Sequence, residues 1–350
     1  MLDDASNQAA RIVVLGTGGT IAGKASAPDD NIGYVAGQVG VADMLQGTTA
    51  PTGFTLIAEQ VAQLDSKDMD ARTLRSLALR CAAWLAEADV VGIVVTHGTD
   101  TLEETAFFLQ HVLAPAKPVV LVSAMRPSTA LASDGPQNLR DAIAVAATPG
   151  AHGVCAVAAG TVHGAIDVRK VHTYRLDAFD SGDAGALGHV EEGVLRRVRA
   201  WPSAADGGVA ARGRLEQVAR TEPAAWPRVE IVTSHAGATG WMVDLMVRAS
   251  GEATAENAVD RLHGLVIAST GNGTVHRELT AAALRAQAVG VAVRRATRCA
   301  SGRIVEARED VPVDADGTAR LRSAGALSPV KARIALMLEL MESPATPPGT

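Results

Sequence analysis

Two threonines stand where a hydroxyl could act as a nucleophile. Thr20 closes the run Gly16-Thr17-Gly18-Gly19-Thr20, just after the apolar stretch Arg11 to Leu15. Thr99 lies in Thr96-His97-Gly98-Thr99-Asp100-Thr101, just after a second apolar stretch that ends at Val95. Attack on a carboxamide needs a hydroxyl, a base within hydrogen-bond reach and donors for the oxyanion that develops. Glycines let the backbone approach closely and adopt positive φ, and backbone amides at a helix start supply donors. The chain has no Gly-x-Ser-x-Gly, so the serine elbow of the α/β-hydrolases is disfavoured.

Other readings compete at both places. Gly18, four residues and Gly23-Lys24 match most of a phosphate loop, but Ala25 stands where a Ser or Thr should ligate magnesium. The residues that follow, ASAPDDNIG, read as a loop and not as the helix whose start would hold phosphates. A dinucleotide fingerprint fails too, because its third glycine would fall on Ile21. At the second place, Thr101 with Glu104 fits a capping box, and Thr20 alone could be an ordinary turn residue.

The elements that must carry these residues alternate. Strands are expected at Arg11 to Leu15, Asp89 to Val95, Pro118 to Ser123 and Gly153 to Ala159. Helices are expected at Ala71 to Ala86, Leu102 to Leu113 and Gly135 to Ala147, the last with Asp134 as its N-cap and Pro136 in its first turn. Strands apolar on both faces indicate a mostly parallel sheet covered on two sides, and ligands then bind beyond the strands' carboxyl ends. From Arg199 to Arg228, Pro202, Gly207, Gly208, Gly213, Pro223 and Pro227 break the pattern and read as a linker. A second block follows, with strands Val229 to Thr233, Gly264 to Ser269 and Val289 to Arg294, and helices Leu279 to Ala288 and Pro329 to Met341. The expected organisation is a larger N-terminal catalytic α/β domain at 1–198, a linker at 199–228 and a smaller C-terminal α/β domain at 229–350.

Bulk properties fit this. The 350 residues are 47% hydrophobic, 20% charged and only 3% aromatic, so the core is aliphatic. The formal net charge is −6, and the only basic cluster, Arg196, Arg197 and Arg199, reads as a solvated loop, so neither nucleic acid nor membrane is an expected partner. The acidic start MLDDASNQAA lacks the apolar stretch of a secretory signal, and no apolar run approaches about 18 residues. The three cysteines, Cys81, Cys155 and Cys299, are widely spaced and read as reduced core residues, with no metal site. A cytoplasmic location is expected; a trimmed periplasmic form would look the same.

Over nearly the whole chain the sequence resembles the bacterial-type L-asparaginases, the two-threonine amidohydrolases. The segments that carry the resemblance are Thr17 to Gly23, His97 to Ala106, and Ala124-Met125-Arg126-Pro127-Ser128 running on to Asp134-Gly135-Pro136-Gln137-Asn138-Leu139. It implies hydrolysis of L-asparagine to aspartate and ammonia, with some glutaminase activity, and no cofactor or metal. It implies Thr20 as the nucleophile that forms an acyl-enzyme, with Tyr34 on an active-site flap helping to activate it. Thr99, Asp100 and Lys170 would form a second triad, with Asp100 on the substrate ammonium and Lys170 serving Thr99. Ser66 would hold the substrate α-carboxylate, the Ala124 carbonyl would face the amide, and Gly19 and Gly98 would line the substrate. Lys67 departs from the family, which often carries a glutamine or an acid there. Thr274, in Thr270-Gly271-Asn272-Gly273-Thr274, and Glu309, with Glu306 as its rival, would reach a neighbouring subunit's site in a homotetramer built from dimers. An amide sensor without catalysis and a tRNA-dependent amidotransferase subunit are the alternatives; the latter should carry basic surface and an RNA-binding domain.

Overall fold

The structure is a computed structural model, and it describes residues 9–202, 208–252, 261–306 and 321–342. The chain divides into two compact units, the first running to Ala219 and the second starting at Arg220.

The first unit is built on an eight-stranded sheet. Strand β1 (Ala10–Gly18) lies between β2 (Phe54–Leu64) and β3 (Val90–Thr96), and β4 (Pro118–Val122) and β5 (Gly153–Ala158) follow beyond β3. These five strands run parallel. β6 (Thr161–Gly164), β9 (Gly188–Glu191) and β10 (Val194–Arg197) extend the sheet antiparallel. A short pair, β7 (Arg169–Lys170) and β8 (Phe179–Asp180), stands apart from it. Ile12 to Leu15, Ile93 to Val95 and Val119 to Val122 are fully buried, as strands covered on both faces must be.

The connecting helices are α1 (Val41–Met44), α2 (Ala71–Ala86), α3 (Leu102–Leu113) and α4 (Gly135–Ala147). The last three have the bounds expected from their periodicity. Asp70 starts α2 by accepting the Thr73 N–H at 2.8 Å. The chain passes from β1 to β2 on one side and then to β3 on the other. Strand order therefore reverses at β1, and the carboxyl ends of β1 and β3 flank the crevice that such a reversal opens.

The second unit holds three parallel strands, β11 (Arg228–Thr233), β12 (Leu262–Ser269) and β13 (Ala292–Thr297). With α6 (Trp241–Gly251), α7 (Arg277–Ala288) and α8 (Pro329–Glu342) it forms a smaller α/β layer around Leu265, Ile267, Leu279 and Val293. No helix among the described residues is long and apolar enough to cross a membrane.

Several expectations need correction. The segment 199–228 contains a helix, α5 (Gly208–Arg220), with Ala211 and Val218 buried. The third strand of the second unit begins at Ala292, not Val289. Val289 is 66% exposed and Gly290 takes φ 90° in the turn that ends α7. Arg196 and Arg197 lie on β10, where Arg196 pairs with Glu191, and Arg199 pairs with Asp167. Cys81 and Cys155 are buried and burial pushes both thiols up to about 12, but Cys299 is exposed.

Candidate active site

The turn after β1 explains the glycines before Thr20. Gly18 and Gly19 take φ of 105° and 81°, which an L side chain resists. Gly19 donates its N–H to Leu64 O at 2.8 Å and accepts from the Gly37 N–H at 3.1 Å. Thr20 opens a single 3-10 turn, Thr20–Ala22, and is 6% exposed. Its Oγ1 lies 2.6 Å from the Tyr34 phenolic oxygen. Tyr34 is carried on a loop closed by a Lys24–Val35 backbone pair. A side chain on Gly23 would strike the Tyr34 ring, 2.8 Å from Cδ2.

The turn after β3 packs backbone to backbone on the first. A Cβ on Gly19 would collide with the Gly98 backbone, and one on Gly98 with the Ser66 hydroxyl. Small residues at both positions thus bring the two turns together. His97, fully buried, donates from Nδ1 to Gly98 O at 2.7 Å and meets Thr105 Oγ1 through Nε2 at 2.9 Å. Burial pushes its pKa down to about 4, so its ring is a neutral strut, not an acid.

Thr99, 6% exposed, accepts a hydrogen bond from Lys170 Nζ at 2.8 Å, and the same ammonium donates to Asp100 Oδ1 at 2.6 Å. Lys170 reaches them from β7. Its backbone N–H donates to Glu103 Oε1 at 3.1 Å, which ties the strand to the first turn of α3. Ser66, 2% exposed, accepts the Asp100 N–H on its Oγ at 3.2 Å. The capping box does not form. Thr101 Oγ1 instead donates to Ser66 O at 2.7 Å, so the hydroxyl joins the turns rather than capping α3.

Ala124 follows β4 and is 1% exposed. A Cβ on Gly135 would lie 3.1 Å from Ile21 and 3.5 Å from Ala124, so this glycine seats Ala124 near the residue after Thr20. The Asp134 carboxylate makes no cap bond to α4. It accepts the Met125 and Arg126 N–H groups, each at 3.0 Å.

The expected site residues thus separate. Thr20 with Tyr34, Thr99 with Asp100 and Lys170, Ser66, Gly19 and Gly98 form one contiguous arrangement at the ends of β1 and β3. Lys67 is held by Asp65 at 3.2 Å and Asp68 at 2.7 Å, and Asp68 leads in raising its pKa. In the second unit Thr274 bonds Thr270, Oγ1 to Oγ1, at 2.7 Å. Glu306 pairs with Arg295 at 2.9 Å, and Glu309 lies outside the described residues. Sequence reasoning missed Glu103 as the anchor of Lys170 and Thr101 as the partner of Ser66; both sit inside a quoted motif but bond to residues far along the chain.

A cavity of about 380 Å³ opens beside the second group, lined by Asp100, Lys170, Val171, His172 and Thr173. A larger one of about 920 Å³ lies behind α4, lined by residues including Arg126, Asp134, Asn138 and Asp141, and by neither threonine. Thr20 and Thr99 line neither cavity. Size alone points to the larger one, whereas Asp100 and Lys170, which belong to the threonine arrangement, line the smaller one, and chemistry decides.

Residues 11–201 match the family described as "Asparaginase, N-terminal" and residues 228–345 the "Glutaminase/Asparaginase C-terminal domain". The chain is 33% identical to "L-asparaginase 2" of Bacillus subtilis, over 95% of this chain and 83% of that protein. It is 32% identical to "Glutaminase-asparaginase" of Pseudomonas fluorescens, over 95% of this chain and 87% of that one. The crystal structure of a probable cytoplasmic L-asparaginase from Campylobacter jejuni superposes with a TM-score of 0.80 at 30% identity, covering 95% and 96% of the two chains.

Proposed function

This chain belongs to the asparaginase family, and from that membership we propose how its own residues convert L-asparagine and water to L-aspartate and ammonia. The observation that carries the proposal is the buried Thr20 hydroxyl at 2.6 Å from the Tyr34 oxygen, beside a second hydroxyl held by a lysine.

Thr20 Oγ1 bonds to the side-chain amide carbon as its proton leaves along the Tyr34 bond. That proton ends on the departing nitrogen, which leaves as ammonia, and Thr20 is left as an ester. Water then cleaves the ester, returning a proton to Thr20 and releasing aspartate. Asp100, its side chain 53% exposed and already paired with Lys170, takes the substrate ammonium as a second cation. Ser66 takes the α-carboxylate, Gly19 and Gly98 line the substrate, and the Ala124 carbonyl accepts from the amide nitrogen. Lys170 orients Thr99 by donating to it. Lys67, engaged by two aspartates, offers no free cation to repel the ammonium.

The proposal extends to a homotetramer of dimers that share sites, with Thr274 and either Glu309 or Glu306 reaching a neighbour, and to a cytoplasmic location. Asparagine and glutamine are the candidate substrates. Ammonia release from each, measured side by side on wild type and on Thr20→Ala, tests the reading. Release from asparagine that falls by several orders of magnitude in the variant is expected. A variant that keeps more than a tenth of wild-type turnover would overturn the nucleophile.

A further inference from the structure

We propose that Asp134, with Asn138, is a positioning residue that aims and polarises the Ala124 carbonyl against the amide nitrogen of the substrate; this rests on the reading of Ala124 given above. The argument begins with the peptide unit that joins Ala124 to Met125. No cis peptide occurs among the described residues, so its C=O and N–H point in opposite directions from one rigid plane. The Met125 N–H donates to Asp134 Oδ2 at 3.0 Å. Fixing that N–H on Asp134 therefore fixes the Ala124 oxygen to point away from Asp134.

The clamp is bonded on both sides. Arg126 N–H donates to Asp134 Oδ1 at 3.0 Å, so the next peptide is held too. Asn138 Nδ2 donates to Ser123 O at 2.9 Å and to Asp134 Oδ2 at 3.1 Å. Its Oδ1 accepts the Ala159 N–H at 3.1 Å, which roots the amide on the end of β5. The backbone before and after Ala124 is thus gripped by two side chains four residues apart, Asp134 just before α4 and Asn138 in its first turn. Asn138 is 3% exposed and makes three bonds, so its orientation is set.

Charge adds to geometry. An N–H that donates to a carboxylate is more strongly polarised than one that donates to a neutral group, and polarisation passes through the peptide to the oxygen at its other end. The Ala124 carbonyl becomes a better acceptor just where the nitrogen gains a proton as it departs. Asp134 touches no reacting atom. Its influence arrives through one peptide bond.

The experiment compares an amide with an ester. L-Asparagine presents N–H to Ala124; the β-methyl ester of L-aspartate has the same skeleton and no N–H on its leaving group. Asp134→Asn keeps the shape and loses the charge, and Asp134→Ala removes the clamp. On asparagine, kcat should fall by roughly tenfold or more, with Asn milder than Ala, and KM should move less than kcat. On the ester, kcat should fall less than about threefold. Asn138→Ala, which frees Ser123 O, should show the same amide-selective loss if the Asp134 variants melt too low to assay. Equal losses on amide and ester would mean that Asp134 only shapes the loop, and would overturn the proposal. A structure of Thr20→Ala with asparagine bound separates the two levels. An amide nitrogen out of reach of Ala124 O would sink the underlying reading; one within reach, with unaltered Asp134→Asn kinetics, would sink the role of Asp134 alone.

Discussion

The phenolic oxygen of Tyr34 lies 2.6 Å from Oγ1 of Thr20, and Gly23 sits between the two in sequence with no room for a side chain against the ring. In the reaction proposed above, removing the Tyr34 hydroxyl leaves the Thr20 hydroxyl without its proton path. Tyr34→Phe should lower kcat by about 10²–10⁴-fold, the range of a lost general base. The pair acts as a unit, so the double variant Thr20→Ala/Tyr34→Phe should be no slower than Thr20→Ala alone. Additive losses measured across that cycle would contradict the coupling.

Asp100 should matter in proportion to the substrate's ammonium. Asp100→Ala is expected to cost roughly 1.5–3 kcal/mol in kcat/KM on asparagine, the range for a hydrogen bond to a charged group, since this carboxylate stands half open to solvent. A substrate that lacks the α-amine should be poor with wild type and lose little more in the variant. Steady-state kinetics on both substrates decide it: equal losses would place Asp100 elsewhere.

Acid should weaken the fold through two histidines. Burial pushes His97 and His163 from the ordinary 6.5 down to about 4; for His163 the neighbouring His189 acts in the same direction and Asp180 against it. The unfolded chain therefore binds protons that the folded chain refuses. Their contribution is fully present above about pH 6.5 and is lost as the pH falls toward 4, at about 3 kcal/mol each at most. Denaturant unfolding at pH 7 and pH 4.5 should show a smaller difference in His163→Gln than in wild type. An unchanged difference would mean that the ring is not held neutral.

Shared sites predict complementation. Thr20→Ala and Glu309→Ala chains should each be nearly inactive. Random exchange makes about half of the dimers mixed, and each mixed dimer holds one intact site of two, so activity should recover up to about a quarter of the wild-type level on the symmetry argument. Labelled chains that exchange without recovery would place the site within one chain or choose the wrong acid, and Glu306→Ala in the same mixture distinguishes those outcomes.

What could be read from the sequence was what local chemistry dictates. α2 was legible to the residue from its apolar stripe, and α3 and α4 from residue types that mark a helix start, Thr101 with Glu104 and Asp134 with Pro136. The sites of Thr20 and Thr99 were legible because both follow buried strands. Bonds across the sequence were not. Thr101 and Asp134 carry the residue types of helix caps, yet their oxygens go to Ser66 O and to the Met125 and Arg126 N–H groups. β2 escaped notice because this edge strand, whose residues are half-buried or exposed and never fully buried, has no continuous apolar run. Lys170 could be placed only by family likeness, since 70 residues separate it from Asp100.

The loop that carries Tyr34 is tied at its base, where the Gln38 and Val39 N–H groups donate to Ala22 O, and more sparsely toward its tip. Beyond the Lys24–Val35 pair, Ser128 bonds Gly23 O at 2.6 Å, Leu131 N–H bonds Pro28 O and Ala25 N–H bonds Thr129 Oγ1. Ile32 is 79% exposed and Val35 60%, so little apolar burial adds to those bonds. Thr20 is set in the core, while its partner belongs to a part of the chain that opens at lower cost than the whole. Turnover then multiplies an intrinsic rate by the fraction of molecules with the loop docked. Activity becomes a meter of local order: in mild urea it should decay well before the far-ultraviolet circular dichroism of the sheet, and coincident decay would show the loop to be as firm as the strands beneath it.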